Sequence, residues 1–281
     1  FLVFKGALVT SHGAGMAVPD WPATFGQNMF LYPPSEWVGG VYYEHVHRLI
    51  AALVGLLTVI TAVWVWRCEC RRWVRMVALL MVVAVILQGM LGGLTVLYGT
   101  PALISSAHGV LGQTFFALTC VFAYAQSREL VTRAATAEGR RGSHRGFKVG
   151  VVLLVLLYLQ LTLGAVMRHT ESGIAVPDFP TMGGGYSLLF DAERLQQINI
   201  MRQEIGRIAV QPYQVWLHLG HRLFGMALFV VFLTAYLYLT RISSAEVKSA
   251  ARFLWLLSCV QVLLGIVTVV SQRHPIIASF H

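Results

Sequence analysis

The sequence predicts an all-α polytopic membrane protein built as two tandem four-helix bundles. Three observations predict it. First, 57% of the 281 residues are hydrophobic and only 12% are charged, where soluble domains carry about 25% charge. Second, apolar runs of about 20 residues, the length that crosses hydrocarbon, recur along the chain. They are continuous rather than alternating, which excludes a β-barrel. Third, the chain repeats itself. "GALVTSHGAGMAVPDWP" from Gly6 aligns without a gap to "GAVMRHTESGIAVPDFP" from Gly164. "HRL" at His47 matches "HRL" at His221, and "QGMLGGLTV" from Gln88 matches "QVLLGIVTV" from Gln261. An even number of spans per copy gives both copies one orientation, hence a pseudo-twofold axis along the membrane normal.

The elements follow from run length and flanking charge. Phe1–Thr10 reads as the tail of a first helix. Val41–Trp66, Met76–Leu97 and Ser105–Gln126 are predicted spans two to four. Phe147–Met167, Tyr213–Thr240 and Arg252–Val270 are spans five to seven, and an eighth begins near Ala278. Residues 1–126 thus form an N-terminal half, 127–147 an inside linker and 148–281 a C-terminal half. Phe1–Thr10 is too short to cross ~30 Å at ~1.5 Å per residue. Both chain ends therefore read as trimmed, lacking part of the first helix and nearly all of the eighth.

Charge sets the predicted orientation. The net charge is +9, but its placement speaks for lipid rather than nucleic acid. Basic residues gather between alternate spans: Arg67, Arg71, Arg72 and Arg75, then Arg128 to Lys148, then Arg241, Lys248 and Arg252. Gly13 to His47 contains no Lys or Arg. By the positive-inside rule, the N-terminus lies inside. The loops starting at Ser11, Tyr98, His169 and Ser271 lie outside. Trp21, Trp37, Tyr42, Tyr43, Tyr213 and Trp216 fall near outer boundaries, and Trp66, Trp73 and Trp255 near inner ones, as interfacial aromatics do. In the long loop 169–212, Leu188, Leu195, Ile198, Ile205 and Ile208 mark 187–209 as an amphipathic helix on the outer surface. Cys68 and Cys70 fall in an inside loop, where thiols stay reduced. Two cysteines cannot fill a four-ligand metal site.

Four of the ten histidines occupy repeat-related places near outer ends of even-numbered spans: His47 with His221, and His108 with His281. Ionisable residues inside spans mark function. Two imidazoles per bundle suit one haem iron held from both sides, because bundle cores accept flat apolar ligands. Arg48 and Arg222 follow two of these histidines and are placed to meet haem propionates, or else to snorkel to the interface. Symmetry breaks at one position. Glu44 stands where the second copy has His218. Glu44 and His47 are three apart and share a helix face. That carboxylate either exchanges protons beside the first haem or simply pairs with Arg48 four residues on. A dihaem electron carrier without chemistry fits the histidines equally.

With "EHVHRL" at Glu44, "HGVLGQ" at His108, "HLGHRLFG" at His218, the terminal His281 and two "AVPD-aromatic-P" loops, the chain resembles the haem A synthase family over nearly its whole length. The resemblance implies an oxidoreductase that converts haem O to haem A. One porphyrin methyl becomes a formyl group by two hydroxylations and loss of water. It implies that His47 and His108 hold the substrate haem, that His221 and His281 hold a haem b cofactor, and that Glu44 is the catalytic carboxylate. It further implies a prokaryotic plasma membrane location with haem sites near the outer face, and hand-off from a haem O-forming prenyltransferase. An oligomer is compatible with it. Many family members carry a cysteine pair in the outer loops, and this chain has none there.

Overall fold

The computed structural model describes residues 1–127, 144–186, 191–242 and 245–281. The helices among them are α1 (Leu2–Ser11), α2 (Gly40–Cys68), α3 (Arg72–Leu97), α4 (Ala102–Ala125), α5 (His144–His169), α6 (Ala192–Glu204), α7 (Pro212–Ile242), α8 (Ala245–Val270) and α9 (Pro275–Phe280). Six helices, α2 to α5, α7 and α8, are long and apolar enough to cross a membrane. The protein is an integral membrane protein. Among the described residues there is no strand, only an isolated bridge between Thr24 and Gln27.

The spans are rich in Val, Ile and Leu, and β-branched residues are indifferent helix formers in water. In hydrocarbon they have no choice, because each backbone N–H and C=O must find its partner within the segment. Large side chains such as Leu56, Ile86 and Leu263 remain exposed on the helix surfaces, as a lipid-facing wall requires. Several helices outrun their apolar stretch. α3 starts at Arg72 rather than Met76, and α8 at Ala245 rather than Arg252. Hydropathy marks where lipid ends, and helical hydrogen bonding continues beyond it on long-stemmed basic residues. α9 opens on Pro275, whose fixed φ suits a first helical position.

The chain forms two compact units, Phe1–Arg141 and Gly142–His281. In the first, α2 packs on α1 and α3, and α3 packs on α4. Val65, Val74, Ala78 and Ala125 form a buried cluster at one end. Arg71 closes that end, donating to the Ala125 carbonyl at 2.9 Å and pairing with Glu69 at 2.6 Å. The Arg71 guanidinium holds the Glu69 carboxyl down to about 2. In the second unit, α7 packs on α5 and α8, and α9 folds back on α8.

Of the predicted amphipathic helix over 187–209, residues 192–204 are helical as α6, while Ile208 lies beyond the helix and is exposed. α6 is capped by Asp191, whose side chain accepts the Arg194 amide. Its apolar side faces protein rather than lipid. Ile198 is 0% exposed, in a core with Ala175, Val176, Val210, Val215 and Leu219. Buried Arg202 fastens it by donating to the carbonyls of Ile174 and Ile208. Residues 187–190 of the predicted helix and most of the inside linker lie outside the described residues.

Candidate functional site

The loop after α1 and the loop after α5 are built alike from the repeated "AVPD-aromatic-P" stretch. Both aromatic–proline bonds, Trp21–Pro22 and Phe179–Pro180, are cis. Asp20 accepts the amides of Phe25 (2.9 Å) and Gly26 (2.8 Å). Asp178 accepts those of Gly183 (2.8 Å) and Gly184 (2.9 Å). Burial pushes the Asp20 carboxyl up, but the two amides and the Arg48 charge together hold it below its ordinary value. For Asp178, burial is likewise outweighed by the Thr181 side chain and the two glycine amides.

The arginines brace these loops. Arg48 donates through Nη1 to the carbonyls of Asp20 (2.7 Å) and Ala23 (3.1 Å). Its Nη2 reaches the Val18 carbonyl (2.7 Å) and Glu44 Oε1 (2.6 Å). Arg222 donates through Nη2 to the carbonyls of Val176 (3.0 Å) and Asp178 (2.9 Å). Its Nε and Nη1 are buried without a partner. Two free N–H sites suit an incoming carboxylate, whereas both terminal nitrogens of Arg48 are already engaged.

Glu44 is only 3% exposed. Besides the Arg48 ion pair, its Oε2 accepts the Val18 amide at 2.9 Å. The counterpart His218, 2% exposed, pairs Nδ1 with the Ser172 carbonyl at 2.9 Å. Both residues tie a span to its outer loop, one as an anion and one as an imidazole.

Each of the four singled-out histidines rests on a glycine of a neighbouring helix. A Cβ would lie 3.0 Å from the ring carbon Cε1 of His47 if placed on Gly6, and 3.1 Å from that of His108 on Gly92. It would lie 3.0 Å from Cε1 of His221 on Gly164, and 3.0 Å from that of His281 on Gly265. Glutamines one turn earlier on the neighbouring helices hold two of these histidines, and a third glutamine reaches the residue beside another. Gln88 Nε2 donates to the His108 carbonyl (3.0 Å) and lies 3.3 Å from its ring Nε2. Gln160 does the same at His221, at 3.1 and 3.4 Å. Gln261 reaches the carbonyl of Phe280, beside His281, at 3.4 Å. Sequence reasoning missed these glutamines, although a Gln-x-x-x-Gly spacing at 88, 160 and 261 was there to read. His45 is different. It is sealed against Thr24, Tyr32 and Trp37 and has a packing role.

One pair of these histidines comes together ring to ring. The rings of His221 and His281 are 6.1 Å apart, centre to centre, and nearly perpendicular at 88°. His47 and His108 lie within each other's electrostatic reach. His47, His108 and His221 each keep Nδ1 buried and unpartnered. Among the described residues no three His, Cys, Asp or Glu side chains gather as metal ligands. A metal arriving inside a macrocycle needs only an axial pair. The residues present fit such a group: His221 and His281, with ring centres 6.1 Å apart, would hold it between them.

Fold and site together define a helical integral membrane protein with six long apolar spans and histidines seated on glycines of neighbouring helices in each of two units. The chain belongs to the COX15-CtaA family of cytochrome oxidase assembly proteins, which matches residues 1–281. Among its relatives is a protein of Shouchella clausii named heme A synthase, 30% identical over 185 residues, covering 65% of this chain and 60% of that protein. One of the same name from Alkalihalophilus pseudofirmus is 29% identical over 191 residues, again covering 65% and 60%. A third, from Lysinibacillus sphaericus, is 23% identical over 286 residues, 100% of this chain and 84% of that protein. The chain spans 60% of the length of the first two relatives.

Proposed function

We propose that this chain acts as a haem A synthase, oxidising one porphyrin methyl of haem O to a formyl group. In this reading the two units are tandem bundles related by a pseudo-twofold axis along the membrane normal. His47 and His108 hold the substrate haem in the N-terminal half, and His221 and His281 hold haem b in the C-terminal half. The shared name of the relatives, the paired rings and their unpartnered nitrogens support the assignment. The distribution of basic residues supports an inside N-terminus and haem sites near the outer face of a prokaryotic plasma membrane. A hydrophobic substrate supports direct hand-off from a haem O-forming prenyltransferase.

Haem b, when bound, supplies the one-electron chemistry that no side chain can perform. The chain's own residues bind, orient and manage protons. The glycine floors let each ring approach its neighbouring helix closely. Arg222 offers Nε–H and Nη1–H to a propionate. Glu44, one turn before His47, is the proton-handling group. Its two oxygens accept from Arg48 and Val18, and a carboxylate has about four acceptor sites, so capacity remains for a substrate-derived proton. Val18 and Arg48 fix the carboxylate so that it need not reorganise.

The observation that carries the reading is the replacement of a loop-tied His218 by a carboxylic side chain, Glu44, in one unit only. Glu44→Gln keeps the shape and removes the charge. Expressed in the full-length protein, this variant should keep a paired-imidazole absorption spectrum. Pigment extraction should show haem O in place of haem A. Wild-type haem A output from Glu44→Gln would refute the role of Glu44.

A further inference from the structure

Glu44 stands three residues before His47, and Ser105 stands three residues before His108. Residues so spaced share a helix face. α2 and α4 start from the same end of the first unit, because α3 packs on both and runs back between them. Glu44 and Ser105 therefore lie one turn beyond their histidines in the same direction. The loop after α1 ties the two sides together. Its Val18 amide binds Glu44, and its Trp21 ring lies so close to Gly93 that a Cβ there would sit 2.6 Å away. Gly93 adjoins Gly92, on which His108 rests.

Ser105 and its neighbour Ser106 are each only 5% exposed, and both hydroxyls are buried without a hydrogen-bond partner. Hydroxyls on apolar helices can return to a carbonyl one turn back, as Thr58, Thr114 and Thr268 do at 2.7 to 2.9 Å. The second unit differs at both places. Ala278 stands in the place of Ser105. Ser279 stands in that of Ser106, and its hydroxyl donates to the Pro275 carbonyl at 2.7 Å. Buried polar groups in native proteins have partners. Two hydroxyls left over beside one histidine are fitted to a ligand that brings its own hydroxyl. The unit that has them is the unit that has Glu44.

We propose that Ser105 and Ser106 bind the alcohol formed when the porphyrin methyl has been hydroxylated once, and hold it for its second oxidation. This rests on the reading of His47 and His108 as the substrate site. That reaction oxidises one carbon twice, with an alcohol in between. An alcohol carries one donor and two acceptor sites, and so does each serine, so the groups match in kind. The methyl of haem O offers neither, and the serines therefore bind the alcohol more tightly than the starting porphyrin. An interaction made only after the first hydroxylation adds nothing to substrate binding and favours completion over release.

The test compares two porphyrins on one protein. Full-length protein in lipid nanodiscs is titrated with haem O and with the hydroxymethyl haem obtained by borohydride reduction of the haem A formyl group, and the Soret band is followed. The parent should bind the alcohol more tightly. Ser105→Ala with Ser106→Ala should weaken alcohol binding by about tenfold, as the loss of two neutral hydrogen bonds implies, and leave haem O within about twofold. Ser279→Ala should change neither. In turnover, the double variant should release alcohol where the parent releases haem A. If the double variant yields no protein, Ser105→Ala decides alone, with a loss of about threefold. Equal alcohol affinity in parent and variant, or an equal loss for haem O and alcohol, would overturn the inference while His108→Ala still abolishes the binding of both. Undiminished haem O binding in His108→Ala would overturn the substrate-site reading, and the inference with it.

Discussion

At the residue scale, the site depends on atoms that are absent. Each glycine beneath a histidine is required by close approach, since any side chain there meets the ring at about its contact limit. Overpacking of this kind costs about 1–3 kcal/mol. Gly164→Ala should therefore displace His221 and lower haem b occupancy by about tenfold, with little loss of protein. Gly150→Ala, on the same helix but facing open space, should leave occupancy unchanged. Pyridine haemochrome assay of the two purified variants measures the difference. Glu44 belongs to the same scale. It is the buried anion of an ion pair with Arg48, so both of its sequence-level readings, ion-pair partner and proton carrier, meet in one side chain. Glu44→Ala should cost about 3 kcal/mol, because it leaves a buried guanidinium without its counter-charge. A lower melting temperature than that of Glu44→Gln would register this loss.

At the scale of elements, the outer loops and α6 act as built parts rather than connectors. α6 is held by Ile198 in the core and Arg202 on two carbonyls. Truncating a buried isoleucine costs about 2–5 kcal/mol, so Ile198→Ala should undock α6. Trypsin should then cut near Arg194 and Arg207 many times faster in the variant than in the parent. The loops have an acid limit. Asp20 and Asp178 titrate below the ordinary 3.8 when folded. The unfolded loop thus takes up protons at higher pH than the folded one. The stabilisation is fully present above pH 3.8 and is lost as pH falls through the lower folded values. Loop protection against proteolysis with pepsin, which is active in acid, should hold at pH 4.5 and fail near pH 2. Asp178→Asn should weaken protection of its loop already at pH 4.5 and remove that loop's further loss on acidification, since no titrating carboxylate is left there.

For the whole molecule, the spans, their order and the orientation of the inner loops form one topological statement. Cys68 and Cys70 are exposed at the end of α2, and the proposed orientation has that end inside. In intact cells a membrane-impermeant maleimide should not label them, whereas a cysteine introduced by Asn28→Cys in a background lacking other cysteines should be labelled at once. Labelling of Cys68 from outside would reverse the orientation. The helical spans were legible in the sequence because a bilayer filters segments by length and hydropathy, which are local quantities. The four histidines stand out in the sequence because the repeat places them at matching positions.

The sequence by itself determined that this chain is a multi-span helical membrane protein and singled out His47, His108, His221, His281 and Glu44. Only the tertiary structure decided what holds them. Gln88 and Gln160 reach their histidines from another helix, and Arg48 and Arg222 reach loop carbonyls 25 to 46 positions away along the chain. The helix α6, amphipathic on paper, found its apolar partner in protein instead of lipid. Hydropathy and periodicity are properties of neighbours in sequence, whereas hydrogen-bond partners and packing surfaces are fixed by which helices meet and at what height.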